Sequence, residues 1–501
     1  MTFDCGAGSR AGIPARAWRV LVACAFAAAT SACATLDLEP GKGAIGQPPP
    51  VVPAEAPRTT GVEKPPSTEH ARLVAMMGGE YRAPAVERYL NTVLAKLAAA
   101  SDSPGEAYRV TILNTPAVNA FALPSGNLYI TRGLLALASD TSEVAAVMAH
   151  EIGHVTARHA SQRAEQEKRQ ALIRQVSEAI QPRERGRQVS ADSKFSLVSF
   201  SREQELEADR IGVMTIGKAG YDPHGAARFL ASLGRSTALR AMLFNQNRSD
   251  ANDLNSSHPS TPERIARATA AARQFGAPGI GDAGRDAWLD VIDNIDFGDD
   301  PGEGAIRGRT FSHARLGFGF TAPEGFVLEN SAQAVLGIAG GGSEALRLDS
   351  VQVGADTPLE SYLNSGWVDG LQAASIRPQT VNGLPAALAT ARAGDWSFRV
   401  GVIRLGSDVY RLIFAARALN EEIDRKFRDS IESFRRLPPD ETSRLRPFRV
   451  AVVTAGSGDS IDTLAARMAI ADRPRDYFLM LNGLDKSDRL KAGERYKIVV
   501  E

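Results

Sequence analysis

Residues 140–159 read DTSEVAAVMAHEIGHVTARH, and this stretch decides the fold of the region around it. Apolar residues recur at helical spacing from Val144 to Val155. Asp140 is followed three residues later by Glu143, which fits the capping box that commonly begins a helix. The stretch therefore predicts one amphipathic helix, and it contains three of the chain's seven histidines, of which His150 and His154 are four residues apart.

The histidine pair predicts a metal site. Residues four apart lie on one face of a helix, so His150 and His154 can bind one metal ion. Neutral imidazole suits zinc, and catalytic zinc takes three protein ligands and a water. Glu151 lies beside the first histidine, where this motif places a general base. The alternative is two histidines that only make hydrogen bonds on a helix face.

A third ligand is predicted in residues 201–209, SREQELEAD. Ser201 and Gln204 fit a second capping box, and Glu205 and Asp209 would share one helix face. One carboxylate could bind the metal. Asp209 could accept a hydrogen bond from the far nitrogen of a ligand histidine and so fix its tautomer. The remaining acidic residues, Glu203 and Glu207, are predicted to form a solvated face.

Together these motifs resemble a known family. The segments HEIGH and ELEAD, with Ser257-His258-Pro259 and Arg264, are similar to the BepA/LoiP-type periplasmic zinc metallopeptidases, gluzincins of the HtpX and CAAX-protease clan. The resemblance covers roughly residues 69–270. It implies one zinc ion per chain, with Glu205 as the third ligand beside His150 and His154. It also implies a catalytic role for His258 near the zinc, as a removable fourth ligand or an oxyanion donor, whereas a His-Pro pair is otherwise most often a loop residue.

The same resemblance suggests where substrate binds. Residues 119–126, NAFALPSG, are similar to the family's edge strand beside the active site. Asn119, Ala120 and Phe121 are therefore predicted to pair with the substrate backbone, a mode that needs little side-chain specificity. The alternative is a strand with a purely structural role.

The first residues predict export. A basic region that includes Arg10 precedes the apolar run Val20–Ala29, which is typical of a signal peptide over residues 1–32. Cys33 then resembles the lipidated cysteine of a bacterial lipobox, although an ordinary signal peptidase could also cut after Ala32. Residues 33–68 are proline-rich and predict an extended tether. We expect a periplasm-facing lipoprotein, anchored at Cys33 in the outer membrane.

The fold class follows from the pattern along the chain. We expect a mainly α metallopeptidase domain (zincin-like, with a small edge-strand sheet), followed by an α+β domain and a small βααβ domain. The last resembles a LysM module, which binds N-acetylglucosamine polymers. The expected boundaries are 69–274 for the peptidase domain, 275–308 for a connector, 309–440 for the α+β accessory domain and 446–501 for the LysM-like domain.

The charge balance and Glu151 decide between function classes. Lys+Arg and Asp+Glu both number 58, so no field steers nucleic acid to the chain, and we expect no nucleic-acid partner. The favoured function is an envelope endopeptidase that acts on misfolded or misassembled envelope proteins, with peptidoglycan as a further partner of the C-terminal domain. One alternative is a non-catalytic outer-membrane assembly or cell-wall-binding factor with structural zinc, which would not need Glu151. Another is a peptidoglycan-processing enzyme.

Overall fold

The computed structural model describes residues 68–165, 168, 200–244, 258–331 and 333–501. These residues divide into two units, of which one is Leu348–Arg425 and the other is 68–347 together with Lys426–Glu501. The predicted signal peptide, Cys33 and the tether lie outside the described residues. Within the described part of the chain, no helix has the length and apolar character needed to cross a membrane.

The larger unit begins with two helices and a small sheet. Helix α2 has Pro at its start, and its apolar side buries Val86, Leu90 and Leu97. Strands β1 and β3 are parallel, β2 is antiparallel to β3, and the sheet order is β1-β3-β2. Strand β2 is therefore an edge strand, with no described strand on its other side. The elements are α1 (Thr68–Met76), α2 (Pro84–Ala100), β1 (Arg109–Leu113), β2 (Ala120–Ala122) and β3 (Asn127–Thr131).

Five helices follow, and two of them start at the residues that were predicted as caps. The Asp140 side chain accepts a hydrogen bond from the Glu143 backbone N–H. In a capping box the Glu143 side chain would also accept a hydrogen bond from the Asp140 N–H. It accepts instead from the N–H of the preceding residue, Ser139, at 2.9 Å. The capping box of Ser201 and Gln204 is confirmed. The helices are α3 (Arg132–Leu137), α4 (Thr141–Thr156), α5 (Arg202–Lys218), α6 (Gly225–Leu243) and α7 (Pro262–Ala272).

Helices α4 and α5 approach each other closely because each has a glycine at the crossing. A Cβ atom on Gly153 would lie 3.3 Å from Ala208 Cα, and one on Gly212 would lie 3.3 Å from His150 Cα. Two glycines thus let the backbones meet almost without intervening side chains. This contact brings the histidines of α4 next to the carboxylates of α5.

The residues after 280 extend the core of the peptidase helices. The predicted connector 275–308 contains a helix, α8, whose Trp288 is fully buried and donates from Nε1 to the Ala138 carbonyl at 2.9 Å. The C-terminal residues have the order strand, helix, helix, strand, and Phe478 and Ile498 join the same core. The elements are α8 (Arg285–Ile292), β4 (Asp296–Phe297), β16 (Phe448–Thr454), α12 (Ile461–Ala465), α13 (Pro474–Asn482) and β17 (Arg495–Val500), with sheet order β17-β16-β4.

Lys497 ties the last strand to the helix that precedes α4. Its side chain is buried, and Nζ donates to three carbonyls at the end of α3: Ala136 at 2.7 Å, Leu137 at 3.0 Å and Ala138 at 2.8 Å. Three acceptors match the three protons of an ammonium group, and a cation is favourable at a helix C-terminus. Burial nevertheless lowers the pKa of Lys497, and the nearby Glu143 carboxylate opposes that shift.

The remaining strands belong partly to each unit. In the larger unit a four-stranded sheet has the order β15-β7-β6-β5. In Leu348–Arg425 the strands β11 to β14 pair antiparallel in sequence order, and Val400 and Val402 pack against Leu363 in its core. The elements are β5 (Ala305–Arg307), β6 (Thr310–His313), β7 (Phe318–Thr321), β8 (Val327–Asn330), β9 (Val335–Ala339), β10 (Glu344–Gln352), α9 (Leu359–Leu363), β11 (Arg377–Val381), β12 (Leu384–Ala393), β13 (Trp396–Leu405), β14 (Asp408–Ala416), α10 (Glu421–Glu432), β15 (Arg435–Arg436) and α11 (Pro439–Arg444).

Candidate metal centre

Four side chains from three parts of the chain converge beside the α4–α5 contact. His150 and His154 come from α4, Glu205 from the first turn of α5, and His258 from the segment before α7. Each offers one ligand atom, and these four atoms all lie within 4.8 Å of one another. The structure thus brings together the three predicted metal ligands, and it adds His258 to them.

The spacing of these atoms fits a tetrahedral metal ion. Ligand atoms about 2.0–2.1 Å from a tetrahedral zinc ion stand about 3.3 Å apart. The Nε2 atoms of His150 and His154 are 3.0 Å apart, and they lie 3.6 and 3.5 Å from the Glu205 carboxylate oxygens. His258 Nδ1 lies 3.2 Å from His150 Nε2 and 2.8 Å from Glu205 Oε1. Facing lone pairs at these distances suit a shared cation.

The protonation of the ligands also suits metal binding. Burial lowers the pKa of His154 well below its ordinary range, and the neighbouring histidines lower it further. Burial would raise the pKa of Glu205, but its hydrogen bond with His258 and the charges around it make the net shift downward. A neutral imidazole and a carboxylate anion are the forms that bind a metal.

Glu151 points into the same site but is held as a separate group. It is buried, and its Oε1 lies 3.5 Å from His258 Nε2. Burial raises the pKa of Glu151 to about 8, while a hydrogen bond from the Ala122 backbone opposes the rise. This carboxyl group therefore lies between the histidines and edge strand β2.

Asp209 lies behind His150, and Arg264 holds it there. Asp209 Oδ1 is 3.0 Å from His150 Nδ1, the nitrogen that faces away from the metal ligands. Arg264 donates to both Asp209 oxygens, at 2.7 and 2.8 Å, and its Nη1 lies 2.8 Å from Glu205 Oε2. Although burial acts in the opposite direction, these bonds lower the pKa of Asp209. The buried guanidinium group of Arg264 thus orients the carboxylates of both Asp209 and Glu205.

A cleft opens beside the metal ligands. Asn119 and Ala120 line it together with His150, Glu151 and His258, so two of the three predicted substrate-binding residues face this cleft. The third, Phe121, has its ring stacked on Tyr129 at 4.8 Å, among residues on the other face of the sheet. The Phe121 ring therefore does not reach the cleft, and the Phe121 backbone is paired with Tyr129 of β3. The inner wall of the cleft is apolar and includes Leu134, Val147, Phe229, Leu230 and Leu233.

Three residues that surround His154 were not predicted to contact it. His159 lies five positions after His154, which is not a same-face spacing, yet its Nδ1 is 2.9 Å from His154 Nδ1. Glu207, predicted to be only solvated, has Oε2 at 3.3 Å from His159 Nε2. Phe200 stacks on the His154 ring with centroids 4.0 Å apart. The contacts of Glu207 and Phe200 join different parts of the chain, which the sequence pattern does not specify.

Comparison with known proteins identifies the domain. Residues 84–272 match Peptidase family M48. The chain is 36% identical over 138 residues to the mitochondrial metalloendopeptidase OMA1 of Arabidopsis thaliana, which covers 28% of each chain. It is 30% identical over 160 residues to the beta-barrel assembly-enhancing protease of Escherichia coli (strain K12), over 30% of this chain and 33% of that one.

The similarity is limited to part of each protein. The matches span only about a third or less of the length of these relatives. A solution structure of cyanobacterial PsbP from Synechocystis sp. PCC 6803 matches at 13% identity over 26% of this chain and 98% of that one. Its TM-score of 0.21 is too low to indicate a shared fold. The motifs and the ligand cluster lie within residues 84–272, the part of the chain that is similar to Peptidase family M48.

Proposed function

We propose that this chain is a zinc-dependent endopeptidase of the bacterial cell envelope that cleaves misfolded or stalled envelope proteins. The observation that supports it best is the meeting of three different features in one cleft. These are the metal ligands His150, His154 and Glu205, the separate carboxyl group of Glu151, and the open edge of β2. A structural metal site has no use for the second and third of these features.

In the proposed mechanism Glu151 moves the proton. Zinc, when bound, supplies a Lewis acid that activates water and polarises a carbonyl group. Glu151 accepts a proton from the attacking water and later donates it to the leaving amine. Its buried position beside the cleft, next to the proposed metal ligands, supports this role.

The proposed substrate is an extended segment of polypeptide. Strand β2 has an unpaired edge among the described strands, and an extended chain could add to it through backbone hydrogen bonds. Such pairing is independent of sequence, which suits unfolded or misassembled proteins as substrates. The apolar wall of the cleft favours a substrate residue with an apolar side chain next to the cleaved bond.

For His258 we keep two proposed roles, which one variant separates. As a removable fourth ligand it would limit the access of water to the metal, so His258→Ala would raise basal proteolysis. As an oxyanion donor it would stabilise the transition state, so His258→Ala would lower the rate by about 10²–10³. An unchanged rate would return His258 to a loop role.

We propose a location at the outer membrane, facing the periplasm, with a lipid anchor at Cys33. The signal-like residues and the proline-rich tether support this proposal. Cys33→Ser should release the protein from membranes, and unchanged membrane association would remove the anchor. Peptidoglycan binding by residues 446–501 also stays a proposal, which the full chain tests by co-sedimentation with insoluble peptidoglycan.

The substitution Glu151→Gln tests the enzymatic function. Gln has almost the same size and helix propensity as Glu, so zinc content and thermal stability should stay near those of the wild type. Hydrolysis of an unfolded protein substrate should fall by about 10²–10⁴. Glu203→Gln, an exposed change on α5, is the matched control and should retain full activity. Full activity in Glu151→Gln would favour the alternative, a non-catalytic assembly factor with structural zinc.

A further inference from the structure

The two metal-ligand histidines are supported in different ways on the side that faces away from the metal. His150 presents Nδ1 to the Asp209 carboxylate at 3.0 Å. His154 presents Nδ1 to another imidazole, since His159 Nδ1 lies 2.9 Å away and the two rings are nearly perpendicular, at 76°. His159 is fully buried. A buried histidine this close to a ligand nitrogen can control which nitrogen of that ligand carries the proton.

The direction of the hydrogen bonds follows from the chemistry of the ligand. His154 faces the other ligands with Nε2, so this nitrogen must keep its lone pair for the metal, and the proton must lie on Nδ1. Only one of two facing nitrogens can donate, so His159 Nδ1 must accept. The neutral ring of His159 then carries its own proton on Nε2, which lies 3.3 Å from Glu207 Oε2. The Glu207 carboxylate can accept a hydrogen bond from this N–H group.

We propose that His159 is a positioning residue of the metal centre, which fixes the tautomer and ring orientation of His154, and that Glu207 in turn fixes the tautomer of His159. The chain from Glu207 through His159 to His154 would do for the second histidine what Asp209 does for the first. The two supports differ in exposure. Asp209 is buried and held by Arg264, whereas the Glu207 side chain is 51% exposed.

This inference rests on the proposed assignment of His154 as a zinc ligand, but its test does not depend on peptidase activity. The readout is the zinc dissociation constant, measured by competition with a chromophoric chelator on protein whose folding is checked by circular dichroism. If Glu151→Gln retained full hydrolysis, the enzymatic proposal would fail while this one could still hold.

The decisive comparison is His159→Leu with His159→Asn. The two replacements have nearly the same shape, so each leaves a similar gap in the core. Only Asn has an oxygen at the position of Nδ1, where it can accept from His154. We expect His159→Leu to weaken zinc binding by about 10–100-fold, the usual loss when the partner of a metal ligand is removed, and His159→Asn to recover most of it. Equal weakening in both variants would show a packing role only, and no weakening in His159→Leu would equally overturn the proposal.

Glu207 is tested with a control from the same helix. Glu207→Ala should weaken zinc binding by a smaller factor than His159→Leu, because water can replace a carboxylate that is half exposed. Glu203, one turn earlier on α5, is 78% exposed and contacts Arg202, so Glu203→Ala removes a similar charge without touching His159. Equal zinc affinities in Glu207→Ala and Glu203→Ala would remove Glu207 from the proposed chain.

Discussion

The close contact of α4 with α5 makes a quantitative prediction about its two glycines. An added Cβ at Gly212 would lie 3.3 Å from His150 Cα, and one at Gly153 would lie 3.3 Å from Ala208 Cα. Carbon atoms in contact normally stand about 3.5–4.0 Å apart, so the helices must separate by a few tenths of an ångström. Metal–ligand distances tolerate only about 0.2 Å. We therefore expect Gly153→Ala and Gly212→Ala each to weaken zinc binding by about tenfold, or about 1.4 kcal/mol.

The same substitutions should leave the unfolding free energy nearly unchanged or lower it slightly. Alanine gains about 1 kcal/mol over glycine inside a helix, and overpacking costs about 1–3 kcal/mol. Gly234, on α6, is the control, because its added Cβ would meet only Ser260 Oγ, at 3.6 Å. Gly234→Ala should raise the unfolding free energy by the full helix-propensity difference of about 1 kcal/mol, and its zinc affinity should stay unchanged. The assays are urea unfolding of metal-free protein and zinc competition. The reasoning is refuted if all three variants gain stability equally and bind zinc like the wild type.

Three further predictions concern the rest of the larger unit. Arg264→Met leaves Asp209 and Glu205 buried without their cation, so metal-free protein should lose about 3–5 kcal/mol of unfolding free energy, and added zinc should restore part of it in urea titrations. Burial lowers the pKa of His313 from 6.5 to about 4, so the unfolded chain binds a proton first as the pH falls. Between pH 6.5 and 4, wild-type protein should therefore lose at most about 3 kcal/mol relative to His313→Asn, and parallel curves for the two proteins would contradict this. Finally, removal of residues 445–501 should prevent the peptidase helices from folding, as judged by circular dichroism and gel filtration, because both parts share one core; a folded, zinc-binding fragment would refute that reasoning.

The local features of the site were predictable, whereas its distant contacts were not. Helical periodicity and a four-residue spacing are enough to place His150 and His154 on one face, and Ser201 with Gln204 marked the start of α5. Resemblance to a family, rather than spacing, pointed to Glu205 among several acidic residues. The role of each of these residues in catalysis or metal binding stays a prediction.

Each contact that was not predicted has its own physical cause. His159 reaches His154 only because the chain turns after α4, where Arg158 has a positive φ of 55°. Trp288 lies in a stretch rich in glycine and aspartate, so composition suggested a connector while packing made it part of the core. Lys497 is buried because three helix-end carbonyls accept its protons, and no local pattern distinguishes such a lysine from a solvated one.

The bond between Lys497 and the end of α3 has a consequence for the order in which the protein matures. A chain is synthesised from its N-terminus, so all the metal ligands exist more than two hundred residues before Lys497 is made. Until then, the carbonyls of Ala136 and Leu137 lack this donor, and α4 starts from an end that is not yet fixed. The segment that leads into α4 can therefore reach its final set of hydrogen bonds only when the last strand is present.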